Sequence, residues 1–449
     1  MDASGYASKD RNCVMENSNI YISVNHYSFI VIANQPLNME QGRIIEKYAT
    51  ANIVERPDAE LPLYQVTKAT KSPSYGVLKP LLDDDNLEEI MYNHPDKPIM
   101  VAHRKHGMCV TNLKMTGDEA ASIIQKVAKY VGRKVGPGNL MLDGRLPDGS
   151  RVNATIPPVS PNGPTLTIRK QLSDPLTVVD LMKFGTISPR LASLLWMFAD
   201  GMGSAPCNIL VAGGTGSGKT TTLNVLGAFI PSKDRLITIE DVTEVQLMHE
   251  HHVQLETFNS TKPEEPEVDM DSLLKNTLRM RPDRIIVGEV RGPEAKTLFT
   301  AMNTGHDGCF GTVHANTAQE TVSRLINPPM DVPPIMMNAL HLIIMQSKIA
   351  VGGKHIRTIT EVSELAGLEG NKPRLNTLFK WNGQTNQLVE TGVPSKLRER
   401  ISKAAGVAPK QFDEVVQYRQ KILESMLQKG MTDIKQVNFY VQNYYAKKM

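Results

Sequence analysis

A run of eight residues constrains the fold of this chain more than any other feature. Residues 213–220 have the sequence GGTGSGKT and fit the phosphate-binding pattern G-x-x-x-x-G-K-[ST]. Residues 208–212 before it, NILVA, are typical of a short buried strand, and residues 221–229 after it are typical of a helix. A glycine-rich turn that fits by chance is the alternative, and the strand and helix on either side favour the phosphate loop. The run therefore predicts a nucleoside triphosphate site on an α/β sheet.

The residue types within this loop explain why it would hold a triphosphate. Glycines let successive backbone N–H groups converge on one anion at the N-terminus of a helix, where the helix dipole already favours negative charge. Lys219 can reach the β- and γ-phosphates, and the Thr220 hydroxyl can coordinate Mg²⁺. We therefore expect a nucleoside triphosphate, ATP or GTP, bound together with Mg²⁺. The predicted contacts are Gly213, Gly214, Thr215, Gly216, Ser217, Gly218, Lys219, Thr220 and Thr221.

Charge and cysteine content limit the class of protein. The chain of 449 residues has 50 Lys and Arg against 47 Asp and Glu, a formal net charge of +3, which argues against a surface that coats nucleic acid. Its four cysteines lie far apart and suit neither a zinc site nor a disulfide framework. The N-terminus lacks a secretion signal, and no apolar run approaches the roughly 20 residues that cross a bilayer. We expect a cytoplasmic protein that attaches peripherally to the inner face of the membrane through partners.

The length predicts two or three domains, and the residue patterns suggest where they divide. Residues 1–75 are weakly patterned, with strand-like character at 21–33, and suggest no function. Residues 76–172 predict a small α+β domain, residues 173–186 a hinge, residues 187–391 the nucleotide-binding domain and residues 392–449 a helical C-terminal appendage. Within the α+β domain we predict a helix at 83–91, a strand at 98–102, a helix at 116–131, a hairpin at 143–153 and a strand at 165–169.

Strands and helices alternate along the nucleotide-binding domain. Such alternation is typical of a mostly parallel sheet covered by helices. A helix at 187–199 begins the domain. The predicted strands are 209–212, 236–239, 284–287, 311–314 and 340–346.

Two acidic stretches follow predicted strands of this domain. Glu289 ends the apolar run at 284–289, where a carboxylate beside the loop can hold Mg²⁺ through water, so Thr220 and Glu289 are the predicted metal-binding residues. The other stretch ends with Glu240, Asp241 and Glu244, and this crowding is unfavourable unless a cation or hydrogen-bond donors compensate. A surface acid at a strand end is the alternative for Glu289, and an exposed acidic turn is the alternative for the other stretch.

Histidines and an arginine complete the candidate site. His306 and His314 frame a predicted strand, and His314 at its end could contact the γ-phosphate. A hydrogen-bonded structural histidine is the alternative for either residue. Arg281 lies just ahead of the strand that ends at Glu289, and arginines near a phosphoryl site stabilise developing charge, often from a neighbouring subunit. A salt-bridge partner is the alternative for Arg281.

These motifs, in this order, resemble those of the secretion ATPase superfamily, the hexameric motors of type II and type IV secretion, type IV pili and archaella. The resemblance covers roughly residues 80–395. It implies a RecA-like domain, in which residues 213–220 are the Walker A loop, Glu289 is the Walker B acid, and Glu244 orients or activates water. It assigns Glu240 to an acidic box and His306 and His314 to a histidine box.

The resemblance extends to the α+β domain, which in this family closes over the nucleotide. The sequences LPDGSRVN and TIRK match the family there, so Arg151 and Arg169 are implied to contact phosphate. Without the family, each would be an ordinary arginine at a strand end. The implied catalytic set is Glu244, Glu289, Lys219, His314 and Arg281, and the implied additional nucleotide contacts are Arg151, Arg169, Glu240 and His306.

Finer features resemble the archaeal branch of the family. The chain lacks the four-cysteine module usual in bacterial pilus-extension and type II enzymes, and residues 327–333, NPPMDVP, resemble the archaellum motor ATPase or the archaeal type IV pilus assembly ATPase. This implies a homohexamer that acts through a polytopic membrane platform protein on pilin-like or archaellin-like subunits, with no nucleic acid. The alternatives are a secretion motor of the type II/IV class, a hexameric nucleic-acid translocase or helicase, and a regulatory switch that binds nucleotide without turnover.

Overall fold

The structure, a computed structural model, describes residues 42–446 apart from 58, 69–71, 73, 172–173, 259–265, 353 and 371, together with three strands before residue 42. The chain divides into two compact units, residues 1–173 and 174–449. Ser173 of the predicted hinge and the extreme N-terminus lie outside the described residues. No helix among the described residues is long and apolar enough to span a membrane.

The first unit contains two sheets. Strands β1 to β3 form a small antiparallel sheet, and the other strands form a nine-stranded sheet in the order β10-β11-β12-β7-β8-β9-β6-β5-β4. Its elements are β1 (Asn12–Glu16), β2 (Asn19–Val24), β3 (Tyr27–Ile32), β4 (Arg43–Lys47), β5 (Ala51–Glu55), β6 (Leu63–Val66), α1 (Lys79–Leu82), β7 (Leu87–Tyr92), β8 (Met100–His103), β9 (Gly107–Thr111), α2 (Gly117–Tyr130), β10 (Met141–Arg145), β11 (Arg151–Thr155) and β12 (Thr165–Arg169).

Helix α2 and the β10–β11 hairpin confirm two predictions from the sequence. Thr116 caps α2 by accepting a hydrogen bond from the Glu119 N–H, and the Glu119 carboxylate accepts one from the Thr116 N–H. The buried side of α2, which includes Ile124, packs in the core of the large sheet. The hairpin turns between Leu146 and Ser150, whose backbone groups are hydrogen-bonded at 2.8 Å.

The predicted helix at 83–91 is wrong. Residues 87–92 form strand β7, which pairs with β8 on one side and β12 on the other. The acidic residues before it form a turn instead, because Asp84 Oδ1 accepts hydrogen bonds from the backbone and side-chain nitrogens of Asn86. Buried Leu87, Ile90 and Tyr92 then face the core. Pairing on both edges outweighs the local helix signal.

The second unit contains one nine-stranded sheet and most of the helices. The predicted strands and the predicted first helix are present, with bounds that differ by a few residues. Its elements are α3 (Val178–Lys183), α4 (Pro189–Asp200), β13 (Ile209–Gly213), α5 (Lys219–Ala228), β14 (Leu236–Glu240), β15 (His252–Glu256), α6 (Met270–Thr277), β16 (Arg284–Val290), α7 (Glu294–Asn303), β17 (Phe310–Val313), α8 (Ala318–Ile326), β18 (Leu342–Val351), β19 (Lys354–Glu369), β20 (Lys372–Asn382), β21 (Gln387–Glu390), α9 (Lys396–Ala404), α10 (Pro409–Gln428) and α11 (Ile434–Ala446), with 3₁₀ turns at Gly201–Gly203 and Pro334–Ala339.

This sheet has the order β15-β14-β16-β17-β13-β18-β19-β20-β21. The first six strands of this order, β15, β14, β16, β17, β13 and β18, are parallel. Strands β19, β20 and β21 extend the sheet with antiparallel pairing. One apolar cluster with α4 and α5 and another with α6, α7 and α8 contain alternate residues of the same strands, so helices cover both faces. The fold is therefore α/β, with a RecA-like nucleotide-binding domain and a smaller α+β domain, as predicted.

Helices α9 to α11 share the core of the first of these clusters. Arg419 on α10 pairs with Asp200 at the end of α4, and both side chains are buried. The Arg419 guanidinium lies 4.9 Å from the Trp196 ring centroid and 4.6 Å from that of Tyr444. These contacts tie α10 and α11 to α4.

The domain bounds given by the sequence patterns stay predictions.

Candidate nucleotide-binding site

The phosphate loop joins β13 to α5. Gly216 and Gly218 have positive φ angles of 68° and 97°, a conformation that favours glycine and lets the backbone curl around an anion. The Lys219 ammonium lies inside the curl and donates to the carbonyl oxygens of Gly213 and Gly214, each at 3.0 Å. Thr220 and Thr221 lie in the first turn of α5, where the first N–H groups of the helix are available to an anion. The loop has the shape that its sequence predicts.

The topology places the loop at the carboxyl edge of the parallel strands. β13 lies between β17 and β18, and its Ala212 is level with Val313 of β17. The strands that end in the predicted acids, β14 and β16, are the next two beyond β17. Because adjacent strands are about 4.8 Å apart, the end of β16 lies about 10 Å from the loop, which leaves room for a metal-bound phosphate.

Glu240, the last residue of β14, is only 3% exposed. Its Oε1 accepts hydrogen bonds from the N–H groups of Glu244 and Val245, at 2.9 and 3.0 Å. Its Oε2 is buried and has no hydrogen-bond partner among the described residues. Burial raises the pKa of the Glu240 carboxyl to about 7, against the opposing effect of the two backbone N–H groups. Through its two hydrogen bonds, Glu240 fixes the backbone of the acidic stretch at Glu244 and Val245.

Glu289 lies in a bulge of β16. Val287 pairs with Gly311 and Val290 with Val313, so β16 carries one more residue than β17 over this stretch. The Thr312 hydroxyl donates to the Gly288 carbonyl at 2.6 Å, which satisfies the backbone of the bulge. Bulges are common next to active sites because they redirect a side chain. Glu289 is half-buried at the carboxyl edge, where the sequence predicts a metal-binding acid.

Glu244 and Asp241 lie in the segment that leaves β14. Glu244 is half-buried, and its backbone is fixed by the bond to Glu240. The Asp241 carboxylate pairs with the Arg291 guanidinium just after β16. This ion pair links the acidic stretch to the strand of Glu289. Glu240, Glu244, Glu289 and the loop thus lie along one edge of one sheet.

The remaining predicted residues of this unit divide between the two edges. His314 follows β17 directly and is half-buried at the carboxyl edge. His306 precedes β17 at the amino edge, and its Nδ1 is buried without a hydrogen-bond partner among the described residues. Arg281 precedes β16, also at the amino edge, is exposed and has a φ of 53°. A strand of four residues spans about 13 Å, so the structure does not bring His306 or Arg281 to the loop of the same chain.

The first unit carries a row of arginines across its sheet. Arg151 of β11 is directly opposite Arg169 of β12 on one side and Arg145 of β10 on the other. Arg169 is opposite Glu89 of β7. Directly opposite residues share a face of the sheet. The structure therefore brings the predicted Arg151 and Arg169 together on one face, and their contact with phosphate stays a prediction.

Sequence reasoning missed Arg145, Arg291 and Gln346. The hairpin turn at 146–150 gave a usable signal for Arg145, because residues that flank a turn symmetrically pair across it. Arg291 follows Glu289 closely, but its pairing with Asp241 joins two distant segments. Gln346 of β18 pairs with Gly213 of β13, and no motif in the sequence indicates that contact.

Comparison with known proteins identifies relatives of this chain. The family model described as "Type II/IV secretion system protein" matches residues 72–437. An uncharacterized protein of Methanocaldococcus jannaschii, MJ0781, is 32% identical over 542 residues, which cover 82% of this chain and 75% of that protein. The conjugal transfer protein TrbB of Rhizobium radiobacter is 35% identical over 299 residues, which cover 65% of this chain and 87% of that protein. The VirB11 ATPase of the Brucella suis type IV secretion system, crystallised with sulphate, is 28% identical, covers 64% of this chain and 91% of its own, and has a TM-score of 0.32.

Proposed function

Since the chain belongs to the type II/IV secretion system protein family, we propose that it is a Mg²⁺-dependent ATPase that powers assembly or rotation of an archaellum or type IV pilus-like filament. The observation that carries the ATPase proposal is the phosphate loop and three carboxylates along one edge of the sheet. Phosphoryl transfer needs a phosphate cradle, charge neutralisation and an oriented water. Lys219, Glu289 and Glu244 are the candidates for these roles.

The donor groups at the edge suit Mg²⁺. The Thr220 hydroxyl and the Glu289 carboxylate are hard oxygen donors, which Mg²⁺ prefers. These two residues would hold the ion, which when bound would neutralise charge on the β- and γ-phosphates. Lys219 binds phosphate directly, and Glu244 orients the attacking water. His314 contacts the γ-phosphate from the end of β17.

The proposed active form is a homohexamer in which Arg151 and Arg169 of the α+β domain contact the phosphates. Arg281 and His306 serve the site of a neighbouring subunit, which fits their position at the amino edge. The partner is a polytopic membrane platform protein, and filament subunits are engaged indirectly. The protein is cytoplasmic in this proposal, and that partner holds it at the inner face of the membrane.

Phosphate release tests the ATPase proposal. The purified chain with Mg²⁺ and ATP should release phosphate, and Lys219→Ala should lower the rate at least 100-fold because the β- and γ-phosphates lose their cation. Lys233→Ala is the matched control, since Lys233 is an exposed lysine of the same unit. Retained hydrolysis in Lys219→Ala would refute the assigned site. Nucleotide binding by the wild-type protein with no turnover would favour a regulatory switch.

A second candidate function is transfer of a macromolecule by a type IV secretion system. The 35% identity to a conjugal transfer protein favours it. Deletion of the gene separates the two, because loss of surface filaments supports the filament motor and intact filaments with a lost transfer phenotype support the second candidate. Stimulation of phosphate release by DNA alone would instead favour a nucleic-acid translocase.

A further inference from the structure

The β18–β19 hairpin forms a wall beside the phosphate loop. β18 pairs with β13 as far as Gln346, which is opposite Gly213 at the end of β13. β18 then continues past the sheet edge to Val351, and β19 returns from Lys354. The hairpin therefore projects beyond the carboxyl edge on the side of the loop away from β17.

Gln346 fixes the loop against this wall. Its side chain is buried, and its Oε1 accepts a hydrogen bond from the Thr222 hydroxyl of α5 at 2.6 Å. A Cβ atom added to Gly213 would lie 2.1 Å from the Gln346 carbonyl oxygen, and one added to Gly218 would lie 2.9 Å from its Nε2. The loop and the hairpin thus pack with no space for a side chain between them.

Arg357 of β19 places a positively charged side chain on the same hairpin, beside the loop. Its Nε donates to the Gly216 carbonyl at the tip of the loop, at 2.9 Å. Arg357 is two residues from Ile359, the partner of Gln346, so it lies on the same face of the hairpin as Gln346. Lys348 lies directly opposite Arg357 on β18. The hairpin therefore carries two basic side chains on one face beside the tip of the loop, where the local charge favours an anion such as phosphate.

The order of the strands indicates which end of a nucleotide this wall would meet. Glu240 and Glu289 lie on the β17 side of the loop, so the γ-phosphate and the attacking water lie on that side. The nucleotide then extends from the loop towards β18. We propose that Arg357 binds the α-phosphate end of the nucleotide, the part that ATP and ADP share; this inference rests on the proposed nucleotide site.

Affinity and turnover measured on the same variants test this assignment. Arg357→Gln should weaken the affinities for ATP and ADP equally, by about 10-fold, because a charge-assisted contact to a group common to both is lost. The kcat at saturating ATP should stay at the wild-type value. Arg357→Lys should restore most of the affinity. Arg374→Ala is the control, because Arg374 is exposed on β20 opposite Gly367, near the amino edge of the same sheet.

The Arg357→Gln variant separates ligand binding from loop support. The introduced glutamine side chain would still offer an N–H group to the Gly216 carbonyl, so unchanged ADP affinity in this variant would overturn the proposal and leave Arg357 with loop support alone. A loss confined to ATP, or a fall in kcat, would place Arg357 at the γ-phosphate and also overturn it. Failure of the proposed function looks different, since the wild-type protein itself would then bind neither nucleotide.

Discussion

The two edges of the parallel sheet differ in what they can do within one chain. At the carboxyl edge, the loop, Glu244, Glu289 and His314 lie on neighbouring strands with their backbones fixed by hydrogen bonds. At the amino edge, Arg281 is exposed and lies a strand length from the loop. Motif residues along one chain therefore need not lie in one site of that chain. We propose that the carboxyl edge binds the phosphates and that the amino edge serves the site of a neighbouring subunit.

The largest expected effect comes from the acids of the carboxyl edge. Glu289→Gln and Glu244→Gln should each lower kcat about 1,000-fold while nucleotide affinity is retained, because metal or water positioning is lost and the loop is intact. Phosphate release and fluorescent-nucleotide binding measure the two quantities. Glu250→Gln, an exposed acid before β15 at the amino edge, should change neither. Loss of nucleotide binding in the two site variants would remove their assigned roles.

Arg281→Ala tests the amino edge and should have the next largest effect. We expect about a 100-fold fall in kcat, the usual cost of removing one charge-stabilising donor from a transition state. ATP affinity should change little, because the phosphate loop of the same chain remains complete. Steady-state rates at saturating ATP and a direct binding titration provide the check. A normal rate would make Arg281 an ordinary exposed arginine.

The smallest effect concerns stability and the buried acid at the carboxyl edge. Burial raises the pKa of Glu240 from 4.5 to about 7, so the folded state holds a proton that the unfolded state releases between these values. Stability should therefore fall as pH rises from about 5 to 8, by about 2 kcal/mol. Glu240→Gln should flatten this dependence in urea titrations at pH 5 to 8. An unchanged slope in Glu240→Gln would show that other groups cause it, and Glu250→Gln is the exposed control.

The sequence predicted the parts of the site whose chemistry is local. The loop between β13 and α5 carries its own signal, because glycine, lysine and threonine are needed at fixed spacings. Glu289 and His314 lie at strand ends, as the sequence predicted, and their roles in the site stay predictions. The prediction of a helix at 83–91 was wrong because the pairing of β7 with β8 and β12 depends on residues far along the chain.

Contacts between distant segments could not be predicted. Strands β4 to β6 come from a stretch that suggested no elements beyond 21–33, and their pairing with the rest of the sheet through β9 gives them their form. Gln346 and Arg357 reach the loop only because β18 pairs with β13 and β19 returns beside it. The strand order determines which residues lie next to the loop, and it depends on the sequence of the whole domain.

A mixing experiment tests most directly whether the two edges serve one shared site. Lys219→Ala and Arg281→Ala should each be nearly inactive alone. If Arg281 acts on a neighbouring subunit, co-assembly of equal amounts should restore activity, to about a quarter of the wild-type rate, because a random ring pairs an intact loop with an intact arginine at one site in four. A mixture that is no more active than the average of the two variants would contradict the account.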